Sequence, residues 1–434
     1  IEHTFAFADD ERVWYDSSPL TPDEVLELDE CCRNHFIELV PNLNSFGHLN
    51  RYLELPEYRD LAECDAPYYH QECFRATLCP GEPALEFLKR RYEAFLPNFT
   101  SRRFNVGCDE PMELGHGRSR ERCRSRGVGN VYLEMIHRIA SLAAEHGRTI
   151  QLWGDILGKF PELYRNLPAG ATVLEWHYEA SDPFEPALRE LREAGVPALA
   201  CPGTSSWKSL CGRTGNMLGN IGRAGSEARS SGARGMLLTD WGDGGHHQHL
   251  PISYPGIAAA SESAWGHGAE SLEQRIPHAI AFAFPDAREN PRLGELLLEF
   301  GRTEEDFRHP LRGQNLLFGM LFSPNNRLCR EAFAAVTPGE ISAAQRRLGS
   351  FRRRLTSSTG ELSPECLTEL ANAAELTALG LENLARLKGK PFRRNLWNDR
   401  MRHVIGEFRH LWLVRNRPGG ADFSIYCLNN LVRT

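Results

Sequence analysis

Short apolar runs alternate with longer amphipathic stretches along the first 266 residues, and this alternation restricts the fold more than any other feature of the sequence. Seven runs have the length and composition of strands: 1–8, 36–44, 102–110, 149–155, 172–178, 196–203 and 233–243. Helical spacing is found at 21–35, 83–98, 131–147, 183–195, 216–232 and 254–266, with a shorter helical piece at 160–168. Strands that alternate with helices through short connections predict an α/β fold with a parallel sheet.

Polar and aromatic residues stand at the carboxyl ends of the predicted strands. They are His48, Asp109, Glu110, Trp153, Asp155, Trp176, Tyr178, Trp207, Asp240, Trp241 and Asp243. In a (β/α)8 TIM barrel the carboxyl ends of all strands form one rim, where the active site is built. A doubly wound sheet would gather such residues at one switch point instead. Contributions from this many strands therefore predict the barrel.

A closed barrel of this class needs eight strands, and the sequence shows seven. Because Ile1 falls inside a strand-like run, we expect the first strand to lie upstream, outside this chain. After about residue 290 long helical stretches replace the strand signals, at 341–355, 367–388 and 397–416. The sequence predicts a barrel domain over residues 1–285 and an all-helical C-terminal domain over residues 286–434, with no visible chemistry in the latter.

Bulk properties exclude several classes of partner. The net charge is −7 and no basic tract is present, so a nucleic-acid partner is not expected. No apolar run approaches the roughly 18 residues of a membrane span. The 12 cysteines have irregular spacing and form no CxxC pair, which favours free thiols in a reducing compartment. No signal peptide is in view, and we expect a cytoplasmic protein. We expect it to need no cofactor, and a homodimer is possible.

The segment FNVGCDE, residues 104–110, places two adjacent carboxylates at the end of a buried strand. Neighbouring strand residues point to opposite faces, so Asp109 and Glu110 can share one pocket only where the backbone turns. Gly107 and Pro111 fit such a turn. A buried Glu beside an ionised Asp has a raised pKa, which suits a general acid. The alternative is a structural turn, and the spacing alone leaves both open.

A second segment, PNLNSFGHLNRYLELPEY, carries His48 in a loop after a predicted strand. Taken by itself, a loop histidine is more often structural than catalytic. The two segments together resemble glycoside hydrolase family 20, the β-N-acetylhexosaminidases. In that family a Pro-x-x-x-x-x-Gly-His loop and a Pro-Glu-Leu-like segment precede a strand that ends in Gly-x-Asp-Glu. This chain has PNLNSFGH, LPEY and VGCDE in that order, and the resemblance covers about residues 1–266.

The resemblance implies a mechanism that explains the carboxylate pair. The 2-acetamido carbonyl of the substrate attacks the anomeric carbon and forms an oxazolinium ion, so the protein supplies no nucleophile. Glu110 would protonate the departing oxygen and later activate water, while Asp109 would hold the acetamido N–H. By the same resemblance His48 would orient Glu110, and Glu2 is the candidate for its acidic partner. The implied activity is the removal of terminal β-linked GlcNAc or GalNAc from a glycan or amino-sugar glycoside.

Four tryptophans at strand ends are candidate sugar-binding residues: Trp153, Trp176, Trp207 and Trp241. Aromatic faces stack on the apolar faces of sugars, although any single tryptophan could simply fill the rim. In the last predicted strand, Asp243 is the first choice for an acid that grips outer sugar hydroxyls, and Asp240 is the second. The family's acetamido-binding tyrosine is missing from ACPGTSSW, and Tyr178 is the candidate substitute.

Three other functions remain open at this point. A non-catalytic carbohydrate-binding relative would keep the tryptophans and lose acid function. A metal-dependent barrel hydrolase could use Asp240, Asp243, His246, His247 and His249, although their spacing matches no zinc motif. A glycosidase that acts on sugars without an acetamido group would need a nucleophile such as Asp155 or Asp243.

Overall fold

The computed structural model describes residues 4–66, 75–266 and 268–433. Four strands form one sheet in the order β1-β2-β3-β4: Arg103–Asn105, Thr149–Trp153, Thr172–Trp176 and Ala198–Cys201. β1 pairs with β2 and β2 with β3, both in parallel, with Phe104 opposite Ile150 and Trp153 opposite Leu174. The α/β class with a parallel sheet is confirmed.

The helices are α1 to α17 in chain order: Glu11–Trp14, Pro22–Asn34, Asn50–Leu53, Glu82–Phe95, Arg120–Arg126, Val128–Glu145, Glu185–Glu193, Thr214–Ser231, Tyr254–Ala264, Ala269–Ala283, Arg292–Phe300, Leu316–Phe322, Arg327–Ala335, Pro338–Ser357, Pro364–Leu387, Arg394–Arg415 and Ala421–Arg433. Short 3-10 turns lie at Pro56–Leu61, Leu96–Asn98, Leu157–Lys159, Pro161–Asn166, Leu250–Ser253 and Pro285–Ala287.

The predicted helices form because their local signals agree with their packing. At the start of α2 the Thr21 hydroxyl accepts from the Glu24 backbone N–H, and the Glu24 carboxylate accepts from Thr21 N at 2.8 Å. Such a capping box contributes about 1 kcal/mol. In α6 the apolar residues Val131, Met135 and Ile139 recur every four positions and are all buried. The piece at 160–168 is a 3-10 turn at Pro161–Asn166.

Three predicted strands are not strands in the structure. The stretch 36–44 pairs only at Asn42, which bridges Asn105, because Phe36 is fully exposed with a positive φ of 59°. The stretch 233–243 pairs only at Thr239, which bridges Gly203. Of the stretch 1–8, residues 1–3 lie outside the described residues, and Phe5 forms a single bridge with Leu20. Apolar alternation was present in each case, but the pairing partners extend over one residue only.

The chain divides into two compact units. The first comprises residues 1–176, 185–200 and 230–234, and the second comprises 177–184, 201–229 and 235–434. The whole of the predicted C-terminal domain falls in the second unit, together with earlier residues. The predicted boundary between residues 285 and 286 remains a prediction.

Each unit has its own core. In the first, Tyr92 meets Phe104 of β1 edge to face with ring centroids 4.9 Å apart, and Phe46 stacks on Tyr132 at 5.6 Å. In the second, the helices from α8 to α17 enclose a continuous apolar cluster, in which Phe300 stacks on Phe351 at 4.2 Å. No helix among the described residues has the length and apolar character needed to cross a membrane.

Candidate active site

The carboxylate pair follows β1 in a turn with an unusual backbone. Gly107, Cys108 and Glu110 have φ angles of +66°, +67° and +45°. Residues with side chains rarely adopt this left-handed region, and they cluster at functional sites when they do. The left-handed turn breaks the strand alternation, so the side chains of Asp109 and Glu110 approach a common histidine. The two adjacent carboxylates therefore lie against one side chain, that of His48.

Hydrogen bonds to neighbouring elements hold this turn. The Trp153 N–H donates to Gly107 O at 3.1 Å, and the buried Tyr132 hydroxyl donates to Cys108 O at 2.9 Å. The backbone N–H of Glu110 donates to Asp155 Oδ2 at 3.1 Å. Every one of these partners comes from β2, its carboxyl end or α6, so the strained backbone is fixed by the first unit's sheet and helices.

His48 lies against both carboxylates. Its Nε2 is 3.1 Å from Asp109 Oδ2 and 3.6 Å from Glu110 Oε2. The Asp109 side chain is 20% exposed and that of Glu110 is 41% exposed, so both remain accessible to a ligand. Gly47 allows this approach, because a Cβ at that position would lie 2.2 Å from Asp109 O. The histidine places a hydrogen-bonding group within reach of both acids.

Asp155 lies next to the carboxylate pair and accepts a hydrogen bond from the Glu110 backbone. Burial, together with the negative charges of Asp109 and Glu110, raises the pKa of the Asp155 carboxyl to about 6. The hydrogen bond from the Glu110 backbone and the Lys159 ammonium act in the opposite direction. Oδ1 of Asp155 is buried and has no hydrogen-bond partner among the described residues. A carboxyl with one satisfied and one unsatisfied oxygen therefore lies directly behind the carboxylate pair.

Two of the predicted tryptophans belong to the same unit. Trp153 ends β2 and is buried, and Trp176 ends β3 and is partly buried. Glu2, the candidate partner of His48, lies outside the described residues.

The second unit brings together three of the predicted sugar-binding residues. The Trp241 indole N–H donates to the Tyr178 hydroxyl at 3.0 Å, and the Tyr178 ring meets Trp207 edge to face at 5.1 Å. Gly203 provides the space, since a Cβ there would lie 2.2 Å from the Trp207 ring. We call Tyr178, Trp207 and Trp241 the aromatic cluster. One indole donates to the Tyr178 hydroxyl, and the other contacts the Tyr178 ring.

The two aspartates of the last predicted strand differ in their contacts. Oδ1 of Asp240 accepts hydrogen bonds from the hydroxyls of Thr204 at 2.6 Å, Ser206 at 2.7 Å and Ser253 at 3.1 Å. Asp243 is exposed, and its Oδ2 lies 3.6 Å from Lys208 Nζ. Oδ1 of Asp240 thus holds three hydroxyls, although Asp240 is exposed like Asp243.

The neighbouring histidines are occupied by the helices of the second unit. His247 Nε2 lies 3.0 Å from Ser424 O, and His249 Nε2 lies 3.0 Å from Asn372 Oδ1. Burial lowers the pKa of each imidazole to about 4. Within residues 4–66, 75–266 and 268–433, no group of three or more His, Cys, Asp or Glu side chains is arranged to hold a metal ion. The geometry of these histidines gives the metal-dependent alternative no support.

Comparison with known proteins finds a family model and a curated relative that are similar to part of this chain. Residues 9–207 match the model of the glycosyl hydrolase family 20 catalytic domain. Human hexosaminidase D is 25% identical over 266 residues, which cover 55% of this chain and 53% of that protein. Over residues 9–207, called the family 20 domain below, the chain is similar to that family. The chain spans about half the length of this curated relative.

Two solved structures are among those that are similar to this chain. A chitobiase of Flavobacterium johnsoniae has a TM-score of 0.51 and 14% identity, with 99% of this chain and 71% of that chain covered. A β-N-acetylhexosaminidase of Bacteroides fragilis has a TM-score of 0.47 and 16% identity, with 63% of this chain and 61% of that chain covered. At these identities the likeness to the chitobiase concerns the α/β fold alone.

Within the family 20 domain, sequence reasoning finds the acids and the histidine but misses the part that Asp155 plays. From the sequence, Asp155 is a candidate only as a nucleophile for another class of sugar, and its contact with the Glu110 backbone is not predicted. The signal was the parallel between VGCDE and LWGD, which each form the carboxyl end of a predicted strand. Trp241, Asp240 and Asp243 lie beyond residue 207, outside the matched range.

Proposed function

We propose that the protein is a β-N-acetylhexosaminidase that removes terminal β-linked GlcNAc or GalNAc by substrate-assisted, retaining hydrolysis. The observation that carries the proposal is the contact of one histidine with two adjacent carboxylates. His48 Nε2 lies 3.1 Å from Asp109 and 3.6 Å from Glu110 within the family 20 domain. The relatives' names include hexosaminidase and chitobiase, which agree with an amino-sugar glycoside as substrate.

Glu110 is the proposed general acid and base. Its half-exposed side chain can reach the glycosidic oxygen of a bound sugar, protonate it, and later take a proton from water. The substrate's own acetamido carbonyl supplies the electrons that displace the leaving group, so the anomeric configuration is retained after two inversions. Asp109, which is less exposed, accepts the acetamido N–H and stabilises the positive charge that develops on the oxazolinium ring.

His48 is the proposed positioning residue for this pair. The structure places its hydrogen bond on Asp109 and leaves Glu110 at 3.6 Å, so the imidazole acts on both carboxylates rather than on Glu110 alone. A histidine that donates to Asp109 would keep that carboxylate oriented while its other oxygen receives the acetamido N–H.

The contacts of Asp155 favour this mechanism over a separate protein nucleophile. A nucleophilic carboxylate must present an oxygen to the anomeric carbon, yet Asp155 Oδ2 already accepts the Glu110 N–H and Oδ1 is buried. A glycosidase for sugars without an acetamido group, with Asp155 as its nucleophile, is therefore less well supported than substrate assistance.

The proposal includes the fold and the sugar contacts implied by the family. We propose that the parallel sheet belongs to a (β/α)8 barrel, since the pairing continues beyond the four strands through the parallel bridge of Asn42 with Asn105. We assign Trp153, Trp176 and the aromatic cluster to sugar stacking, with the Tyr178 hydroxyl as the acetamido contact and Asp243 as the acid for outer hydroxyls. A cytoplasmic location, independence from cofactors and a homodimeric state stay predictions.

The deciding experiment is hydrolysis of chromogenic β-GlcNAc and β-GalNAc substrates by the wild type, Asp109→Ala and Glu110→Gln. We expect activity on at least one sugar that persists with chelator, a loss of at least ~100-fold in kcat/KM for both variants, and strong inhibition by a thiazoline mimic of the oxazolinium ion. Glu93→Gln, on the exposed face of α4, is the matched carboxylate control and should keep full activity.

Three results would contradict the proposal. A wild-type chain that binds either sugar without hydrolysing it would favour the non-catalytic relative. Loss of activity with chelator would favour the metal-dependent hydrolase. Full activity of Glu110→Gln would remove the proposed acid from the mechanism.

A further inference from the structure

The side chain of Asp155 contacts the backbone of the turn that carries the carboxylate pair. It stands two residues beyond the end of β2, beside a turn that follows β1. The backbone ladder between these strands continues past β1, with Val106 N donating to Gln151 O at 2.9 Å and Trp153 N to Gly107 O at 3.1 Å. Beyond Gly107 the backbone turns away, and the backbone hydrogen bonds between the two strands end. The Asp155 carboxylate takes their place, accepting from Glu110 N at 3.1 Å.

We infer that Asp155 is a positioning residue, which fixes the left-handed backbone of Glu110 through Oδ2 and whose negative charge repels a negative charge on the Glu110 side chain. The inference rests on the hexosaminidase function proposed above. A φ of +45° at a glutamate is unfavourable and must be held by its surroundings. The hydrogen bond to Asp155 acts directly on that residue, so its loss would let the backbone of Glu110 relax.

The charge of Asp155 has a second consequence. The titratable groups that face it are Cys108, Asp109, Glu110, Tyr132 and Lys159. Coulombic repulsion between carboxylates is mutual, so an ionised Asp155 disfavours ionisation of Glu110. Because Oδ1 is buried without a partner, no described donor neutralises this charge from the other side. Removal of the Asp155 charge should therefore change the pH range in which Glu110 acts as an acid.

The test compares Asp155→Asn and Asp155→Ala with the wild type. Asn keeps an oxygen acceptor for Glu110 N but loses the charge, so we expect kcat to fall ~10-fold with KM within ~3-fold. The alkaline limb of its kcat/KM–pH profile should move to lower pH by ~0.5–1 unit. Ala loses the acceptor as well, and its kcat should fall ~100-fold.

Asp29→Asn is the matched control. Asp29 is another buried carboxylate of the first unit that anchors a backbone, with Thr100 N donating to its Oδ1 at 3.2 Å. We expect this variant to lose stability and keep the wild-type pH profile. If Asp155→Ala does not fold, the isosteric Asp155→Asn carries the test, with circular dichroism to establish its fold.

The outcomes separate the two proposals. If the wild type hydrolyses the sugar and Asp155→Asn matches it in kcat and pH profile, the inference about Asp155 is overturned and the function stands. An equal shift of the alkaline limb in Asp29→Asn would overturn the inference in the same way. A wild type without hydrolase activity would overturn the function, and this inference with it.

Discussion

The two units each place an acid at the end of a predicted strand, and the two acids have opposite surroundings. In the first unit Asp109 and Glu110 are partly exposed and share His48, on a backbone with left-handed residues. In the second unit Asp240 receives three hydroxyl hydrogen bonds on a single oxygen. The same sequence signal has produced a carboxylate pair that shares a histidine and an aspartate with one oxygen held by three hydroxyls.

The difference lies in how many hydrogen bonds a carboxylate oxygen already accepts within the protein. An oxygen that already accepts from Thr204, Ser206 and Ser253 has no capacity left for a substrate proton or hydroxyl. The carboxylate pair Asp109 and Glu110 is partly exposed. Its left-handed backbone costs conformational free energy, which the packing of the first unit must offset. The three predictions below test this contrast.

The largest expected effect is on activity, with Asp109→Asn compared with Asp240→Asn. Asp109→Asn should lower kcat/KM by at least ~100-fold with little change in stability, since its side chain is a weak structural contact and a strong proposed substrate contact. Asp240→Asn should keep activity within ~5-fold and lose ~1–2 kcal/mol in urea unfolding, because three hydroxyls lose a charged acceptor. Comparable inactivation of both variants would erase the contrast.

Glycine substitutions give the second effect, since each unit uses a glycine for a close approach. At Gly47 an added Cβ would meet the backbone oxygen of Asp109 at 2.2 Å, whereas at Gly203 it would meet the Trp207 ring at the same distance. Backbone cannot move aside, so Gly47→Ala should cost ~2–3 kcal/mol in unfolding free energy and at least ~10-fold in kcat. Gly203→Ala should cost less and act mainly on KM.

The control for both is Gly406→Ala in the helix α16, where nothing lies within 4 Å of the new Cβ. That variant should gain ~0.5–1 kcal/mol from helix propensity. A Gly47→Ala protein with wild-type stability and activity would show that the turn after β1 is less rigid than its hydrogen bonds indicate.

The smallest effect concerns stability against pH, where the buried groups of the two units act in opposite senses. The pKa of His247 is about 4 in the folded protein, below the ordinary value of 6.5, so the unfolded chain binds the proton first as pH falls. Each such histidine therefore lowers stability by about 2 kcal/mol between pH 7 and pH 5. Asp155, with its pKa raised to about 6, has the opposite sign and loses stability as pH rises from 3.8 towards 6.

His247→Gln should flatten the fall in unfolding free energy between pH 7 and pH 5, because the amide is neutral throughout and can still donate to Ser424 O. Asp155→Asn should steepen it, since it removes a group whose contribution grows as pH falls. The measurement is urea unfolding at several pH values. Parallel curves for wild type and His247→Gln would mean that the imidazole is not protonated in the unfolded chain alone.

Features that depend on residues close together in the sequence could be predicted, whereas contacts between distant residues could not. Local signals predicted β1 to β4 and the main helices. The acids and His48 were found through two short motifs. The contact of Asp155 with the Glu110 backbone joins residues 45 positions apart, and it depends on the register of β1 against β2. Pairing at Asn42 and Thr239 failed to extend into strands for the same reason: alternation within a segment says nothing about the length of its partner.

The division of the chain has a consequence for how the protein is made. The first unit ends at Arg234, and every residue proposed for acid–base chemistry precedes that point. The second unit also takes residues 177–184 and 201–229, which leave the ribosome early, but it needs α9 to α17 to complete its core. The carboxylate turn can thus fold during translation, while the aromatic cluster waits for helices that have not yet been synthesised.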